Sequence, residues 1–124
     1  MAAPTDPTQL VVCEGDETGQ ELLEQALRVL DPSVLAVPVE LHRFDLSLEN
    51  RRRTRNRIVS DAAEAMHATG LGLKAATVTP PAIGDVGSPN RILREGVGGS
   101  VIVRTGRRIP GVVPVAPVVN ANAL

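Results

Sequence analysis

The sequence predicts an α/β domain in which a mainly parallel sheet is flanked by helices. Three observations predict it. Short apolar runs of strand type alternate with stretches whose apolar residues recur at helical spacing, and polar, Gly- or Pro-containing turns separate them. A length of 124 residues suits one domain, and 43% hydrophobic residues suffice for a core. With 22% charged residues and a net charge of −1, global disorder is disfavoured. The expected division is a flexible start over 1–9, one domain over 10–117 and a tail over 118–124.

Leu10-Val11-Val12-Cys13 reads as the first strand, and Glu14 to Gly19 as the turn that ends it. Thr18 and Glu21 have capping-box spacing. Leu22, Leu23, Ala26, Leu27 and Leu30 then repeat as a helix that stops before Pro32. Val37 to Ser47 reads as a second strand, with Pro38 near its start or at an edge. Arg57 to Thr69 places Ile58, Val59, Ala62, Ala63 and Met66 on one helical face, with Gly70 as its stop. Leu71 to Ala76 is of strand type, and Thr77 to Pro89 is a Pro- and Gly-rich loop. Ile92 and Leu93 fall in a short helix broken by Gly98-Gly99, and Ser100 to Val103 reads as a further strand. Pro110, Pro114 and Pro117 interrupt the Val-rich run beyond it.

Composition excludes several chemistries. Phe44 is the only aromatic residue, so base-stacking surfaces and a tyrosine acid are missing. Lys74 is the only lysine. Cys13 is the only cysteine, which rules out an intrachain disulfide or a multi-cysteine zinc site and reads as a buried small hydrophobe in a reducing compartment. The start lacks a basic targeting region, and no apolar run approaches the ~18 residues that span a bilayer, so a cytoplasmic location is expected.

Charge is divided between the halves. Residues 1–50 carry ten acids and two bases, whereas 51–124 carry eleven bases and four acids. Within the basic half, Lys74 to Pro80 and Ser88 to Arg94 gather hydroxyl, amide and guanidinium groups at loop and helix-start positions, a chemistry suited to clamping a polycarboxylate. Arg104 adds charge from the strand expected next.

Five blocks occur in order: Gly15-Asp16-Glu17, Phe44-Asp45-Leu46-Ser47-Leu48-Glu49-Asn50-Arg51, Asp61-Ala62-Ala63-Glu64-Ala65, Gly72 to Pro80 and Ser88-Pro89-Asn90, followed by Arg94 and Gly98-Gly99. In these the sequence resembles the β-decarboxylating dehydrogenases of isocitrate and isopropylmalate type, particularly the amino-terminal part of the homodimeric NADP-dependent isocitrate dehydrogenases, over roughly residues 10–117. The resemblance implies substrate-carboxylate contacts for Thr79, Ser88, Asn90, Arg94 and Arg104, and positions near an NADP or NAD cofactor for Lys74, Thr77 and Asn90. Arg104 departs by one residue from the family spacing after the paired glycines. The family also uses a later arginine, a catalytic tyrosine, a lysine from a second subunit and metal-binding aspartates, none recognisable here. Magnesium or manganese is therefore expected only if a companion chain supplies the ligands.

The expected function is the substrate- and cofactor-binding portion of such a dehydrogenase, catalytically incomplete on its own and partnered by itself or by a companion subunit. The alternative is a pseudoenzyme or interaction subunit that binds an organic anion or a partner protein. The run Arg51-Arg52-Arg53-Thr54-Arg55-Asn56-Arg57 reads as a solvated helix entrance; phosphate contacts to nucleic acid are the weaker reading, because no aromatic interleaving accompanies it. Arg107-Arg108 reads as surface charge or a ligand or partner contact. Gly15 to Gly19 reads as a structural turn, since its acids would repel phosphate. His42 and His67 have no ligand pattern and read as structural or exposed.

Overall fold

The structure, a computed structural model, describes residues 6–106 and 110–113. Residues 1–5 of the expected flexible start, Arg107 and Arg108, Pro114 and Pro117, and the expected tail lie outside the described residues. Three strands, β1 (Thr8–Glu14), β2 (Val39–Asp45) and β3 (Gly72–Lys74), form a parallel sheet in the order β2-β1-β3. Five helices accompany them: α1 (Glu17–Val29), α2 (Pro32–Leu35), α3 (Leu48–Thr54), α4 (Arg57–Thr69) and α5 (Asn90–Gly96).

The central strand explains the apolar run with which the sequence begins. Val11, Val12 and Cys13 are all fully buried, because a strand paired on both sides and covered on both faces has no solvent side. Val11 and Cys13 join Leu46, Val59, Ala62, Ala63 and Leu93 on the face covered by α4 and α5. Val12 joins Leu23, Leu27 and Ala75 on the face covered by α1. Each Val or Leu side chain among them, taken fully out of water, contributes about 1.5–3 kcal/mol.

Several boundaries differ from the sequence reading, each for a local reason. The first strand already includes Thr8 and Gln9, placed in the expected flexible start, because Thr8 N donates to Pro38 O at 2.9 Å and both residues pair with β2. The capping box does not form: α1 starts at Glu17, so Thr18 lies inside the helix and Asp16 is the cap residue. Leu22 is 65% exposed although it shares the apolar repeat, since Leu23 and Leu27, with Leu30 packed beside them, form the face that meets the sheet. Pro32 stops α1 as expected and opens α2, where the Asp31 side chain accepts Ser33 N at 2.9 Å.

Arg51, Arg52 and Arg53 of the arginine run lie in α3, begun by Ser47, whose hydroxyl accepts Asn50 N at 3.4 Å. Arg55 (φ 51°) and Asn56 (φ 63°) turn the chain into α4, which ends at Gly70 as the sequence predicts. The strand expected over Leu71 to Ala76 narrows to Gly72–Lys74, and that expected over Ser100 to Val103 does not form. No further strand pairs with the outer edge of β3 among the described residues, and Val101 and Val103 stay 78% and 80% exposed.

Candidate functional site

All three strands run parallel, so Glu14, Asp45 and Lys74 end at the same edge of the sheet, where α/β proteins place their binding groups. The long loop leaving Lys74 carries most of the candidate residues. Lys74 is half-buried; its Nζ donates to Ala75 O at 2.7 Å and to Thr77 Oγ1 at 3.1 Å. Burial holds its ammonium below the ordinary lysine range, with Cys13 opposing that shift and Arg51 adding to it.

Lys74, Asn90, Arg94 and Arg104 line one open cavity of about 320 Å³, walled on its apolar side by Met66 and Leu93. The structure thus brings together four of the seven expected site residues, and Thr77 joins them through Lys74. Arg94 is exposed and rests on its own helix, with Nε donating to Asn90 O at 3.2 Å. Arg104 reaches the cavity from an irregular segment rather than from the expected strand. Thr79 and Ser88 are exposed and do not line it; the Ser88 hydroxyl accepts Asn90 N at 3.4 Å. Three cationic groups around a carboxamide suit an anion, since guanidinium groups pair with carboxylate or phosphate through two parallel hydrogen bonds.

Arg52, Arg53, Arg55 and Arg57 are exposed, as expected of a solvated helix entrance, but Arg51 is not. Arg51 is fully buried: Nε donates to Leu46 O at 2.9 Å, Nη1 to Gly87 O at 2.8 Å and Nη2 to Val78 O. Asp16 lies 4.0 Å away as its counter-charge. The Asp16 carboxylate also accepts Leu48 N and Val78 N, each at 2.8 Å, which is why it does not cap α1. Burial holds the Arg51 guanidinium below its ordinary range, with Asp16 opposing. Arg52 grips Asp85 through Nε and Nη2, and Asn56 Nδ2 donates to Val86 O at 2.8 Å. These three side chains bind the loop. Arg51 and Asp16 were missed as a pair; the usable signal was a loop rich in Pro and Gly whose carbonyls need donors from elsewhere.

Cys13, His42 and His67 lie outside the cavity. Burial pushes the Cys13 thiol up to about 11, with Lys74 pulling the other way, so the thiol is protonated near neutrality. His42 bonds the Gln9 side chain, and His67 is exposed in the last turn of α4. Among the described residues no group of three or more His, Cys, Asp or Glu could hold a metal ion, so these residues do not fit a metal by themselves. No helix among the described residues is long and apolar enough to cross a membrane.

No known family profile matches the chain. Individual proteins do. The mitochondrial NADP isocitrate dehydrogenase of Saccharomyces cerevisiae is 34% identical over 116 residues, 87% of this chain and 26% of that protein. The peroxisomal NADP isocitrate dehydrogenase of Candida tropicalis is 38% identical over 71 residues, 51% of this chain and 17% of that protein. The NADP isocitrate dehydrogenase of Sphingobium yanoikuyae is 37% identical over 87 residues, covering 59% and 21%. The chain spans about a quarter or less of the length of these relatives.

Proposed function

We propose that this isocitrate dehydrogenase-like chain is the substrate- and cofactor-binding portion of an NADP-dependent, oxidatively decarboxylating dehydrogenase and does not complete the reaction on its own. The observation that carries the reading is the cavity of about 320 Å³ on which Lys74, Asn90, Arg94 and Arg104 converge. Arg94 and Arg104 receive the carboxylates of isocitrate, and the Asn90 carboxamide orients them. Lys74 and Thr77, hydrogen-bonded at 3.1 Å, face the cofactor end of the same site. The half-buried Lys74 ammonium suits an anionic nicotinamide nucleotide, so the residues fit the group; NADP, when bound, supplies a hydride acceptor. The chain has no tyrosine and only one lysine, so proton transfer needs residues other than these. A metal likewise needs ligands from outside the described residues.

Calorimetric titration of the 124-residue chain with isocitrate tests the reading. Heat that saturates, without reduction of NADP when magnesium is added, is the expected result. Absence of heat with isocitrate and other tricarboxylates overturns it. A single buried thiol suits the reducing cytoplasm proposed for the chain, although the relatives include mitochondrial and peroxisomal proteins.

A second reading, an interaction subunit, draws on a different observation. The outer edge of β3 is unpaired among the described residues, and Leu10, Val29, Leu30 and Leu73 line an apolar groove beside it. Open strand edges and apolar grooves are covered by association. A homo-oligomer or a companion subunit is therefore proposed, and light scattering that shows a stable monomer at micromolar concentration counts against it.

A further inference from the structure

We propose that Arg51 is a positioning residue that sets where Thr79 and Ser88 stand by holding the carbonyls of the residues immediately before them; this rests on the binding function proposed above. The loop from Thr77 to Pro89 cannot hold its own shape. Pro80, Pro81 and Pro89 offer no N–H, and among the described residues the only backbone hydrogen bond within the loop joins Asp85 N to Ala82 O at 3.3 Å. Its conformation is therefore imposed by outside groups.

Arg51 is the outside group that reaches both ends. Its Nη1 holds Gly87 O at 2.8 Å, its Nη2 holds Val78 O, and its Nε is anchored on Leu46 O at the close of β2. The planar fork fixes the two loop carbonyls relative to each other, so the residues that follow them, Thr79 and Ser88, are set at a constant separation. Asp16 completes the clamp by accepting Val78 N at 2.8 Å, so the Val78 residue is held through its N–H and its C=O. The Arg52–Asp85 pair and the Asn56–Val86 bond grip only the middle and the far end. A lysine at position 51 keeps the charge but, with a single ammonium, cannot span carbonyls that the fork reaches on separate nitrogens.

The test compares Arg51→Lys and Arg52→Ala in the 124-residue chain, after circular dichroism shows that both fold. Arg51→Lys should speed hydrogen exchange at the Val78 and Val86 amides by about tenfold, the size of one lost hydrogen bond, while the Val12 amide in β1 keeps its protection. It should also weaken isocitrate binding by about tenfold, because the Ser88 hydroxyl accepts Asn90 N at 3.4 Å and passes its displacement to Asn90, which lines the cavity. Arg52→Ala leaves both carbonyl bonds in place and should weaken binding by no more than about threefold, as expected of an exposed ion pair. If Arg51→Lys does not fold, Arg51→Gln, which removes the buried charge, carries the same expectations. Unchanged exchange at Val78, or equal weakening by Arg52→Ala, overturns the proposal. A loop loosened by Arg51→Lys in a chain that binds no isocitrate overturns the binding function and upholds the clamp.

Discussion

Gly15 faces Ala76 so closely that a methyl group built on its α-carbon would lie 2.0 Å from the Ala76 carbonyl oxygen. The turn after β1 and the chain after β3 are thus in contact through backbone, and Asp16 N donates to that same carbonyl at 3.1 Å. Gly15→Ala should therefore destabilise the fold by about 1–3 kcal/mol, the range for overpacking a filled site. Urea unfolding checks this. A midpoint equal to that of the parent chain would show that the two turns separate without cost.

Asp16→Ala should be more damaging than loss of an exposed carboxylate. It strips the Leu48 and Val78 amides of their acceptor and leaves the buried Arg51 without its counter-charge. Removing one partner of a buried pair costs about 3–5 kcal/mol. Combining it with Arg51→Met should cost less than the two single losses added together, because the second change removes the uncompensated charge. Denaturant titration of the single and double variants provides the cycle.

Cys13 should be silent toward thiol reagents in the native chain at pH 8 and react fully on unfolding, because it is buried and protonated. The folded thiol keeps its proton up to about 11, whereas an ordinary cysteine loses it near 9.0. Its contribution to stability therefore falls as pH rises across that interval. Lys74, with its lowered pKa, works in the opposite direction. Comparison with Cys13→Ala, which retains Lys74, isolates the thiol. Reaction of native Cys13 at pH 8 would contradict its burial.

The Arg52–Asp85 pair predicts an acid limit for the loop. Arg52 holds the Asp85 carboxyl below its ordinary value of 3.8, with the Val86 amide assisting. The stabilisation it brings is present above that value and is lost as pH falls beneath it. Loop exchange at Val86 should rise on acidification in the parent chain and be raised at all pH values in Asp85→Asn. An acid response identical in the two proteins would remove Asp85 from the account.

Arg94→Ala should weaken isocitrate binding by about 1.5–3 kcal/mol, the range for a hydrogen bond to a charged group. Arg55→Ala, on the exposed corner between α3 and α4, should leave it unchanged. Were nucleic acid the ligand, Arg55→Ala would lower affinity and flatten its salt dependence while Arg94→Ala did little. Titrations with isocitrate and with duplex DNA separate these outcomes.

The elements whose residues meet a regular surface were legible from sequence. β1 shows as an unbroken apolar run and α4 as a repeat closed by Gly70, since periodicity reports burial against a sheet. What stayed hidden depends on distant backbone. Nothing near Arg51 announces that carbonyls from Val78 and Gly87 will surround it, so a charged residue in a charged run reads as solvated. Asp16 reads only as part of the turn after β1, because the partners of its carboxylate lie 32 and 62 residues away. The stretch Ser100 to Val103 has strand composition, yet a strand needs a ladder partner, and none pairs with it among the described residues. Of the residues proposed for the site, Lys74, Asn90, Arg94 and Arg104 line one cavity, whereas Thr79 and Ser88 stand outside it.

The two left-handed residues at the α3 to α4 corner, Arg55 and Asn56, act as a mechanical break. In one unbroken helix, inserting or deleting a residue would swing everything on the far side through about 100°. Here such a change within α4 would stop at the corner, and the azimuth of Arg51 would be set by the turn that Ser47 begins. The face of α4 that packs on the sheet can therefore drift in sequence and length without rotating the guanidinium away from its carbonyls.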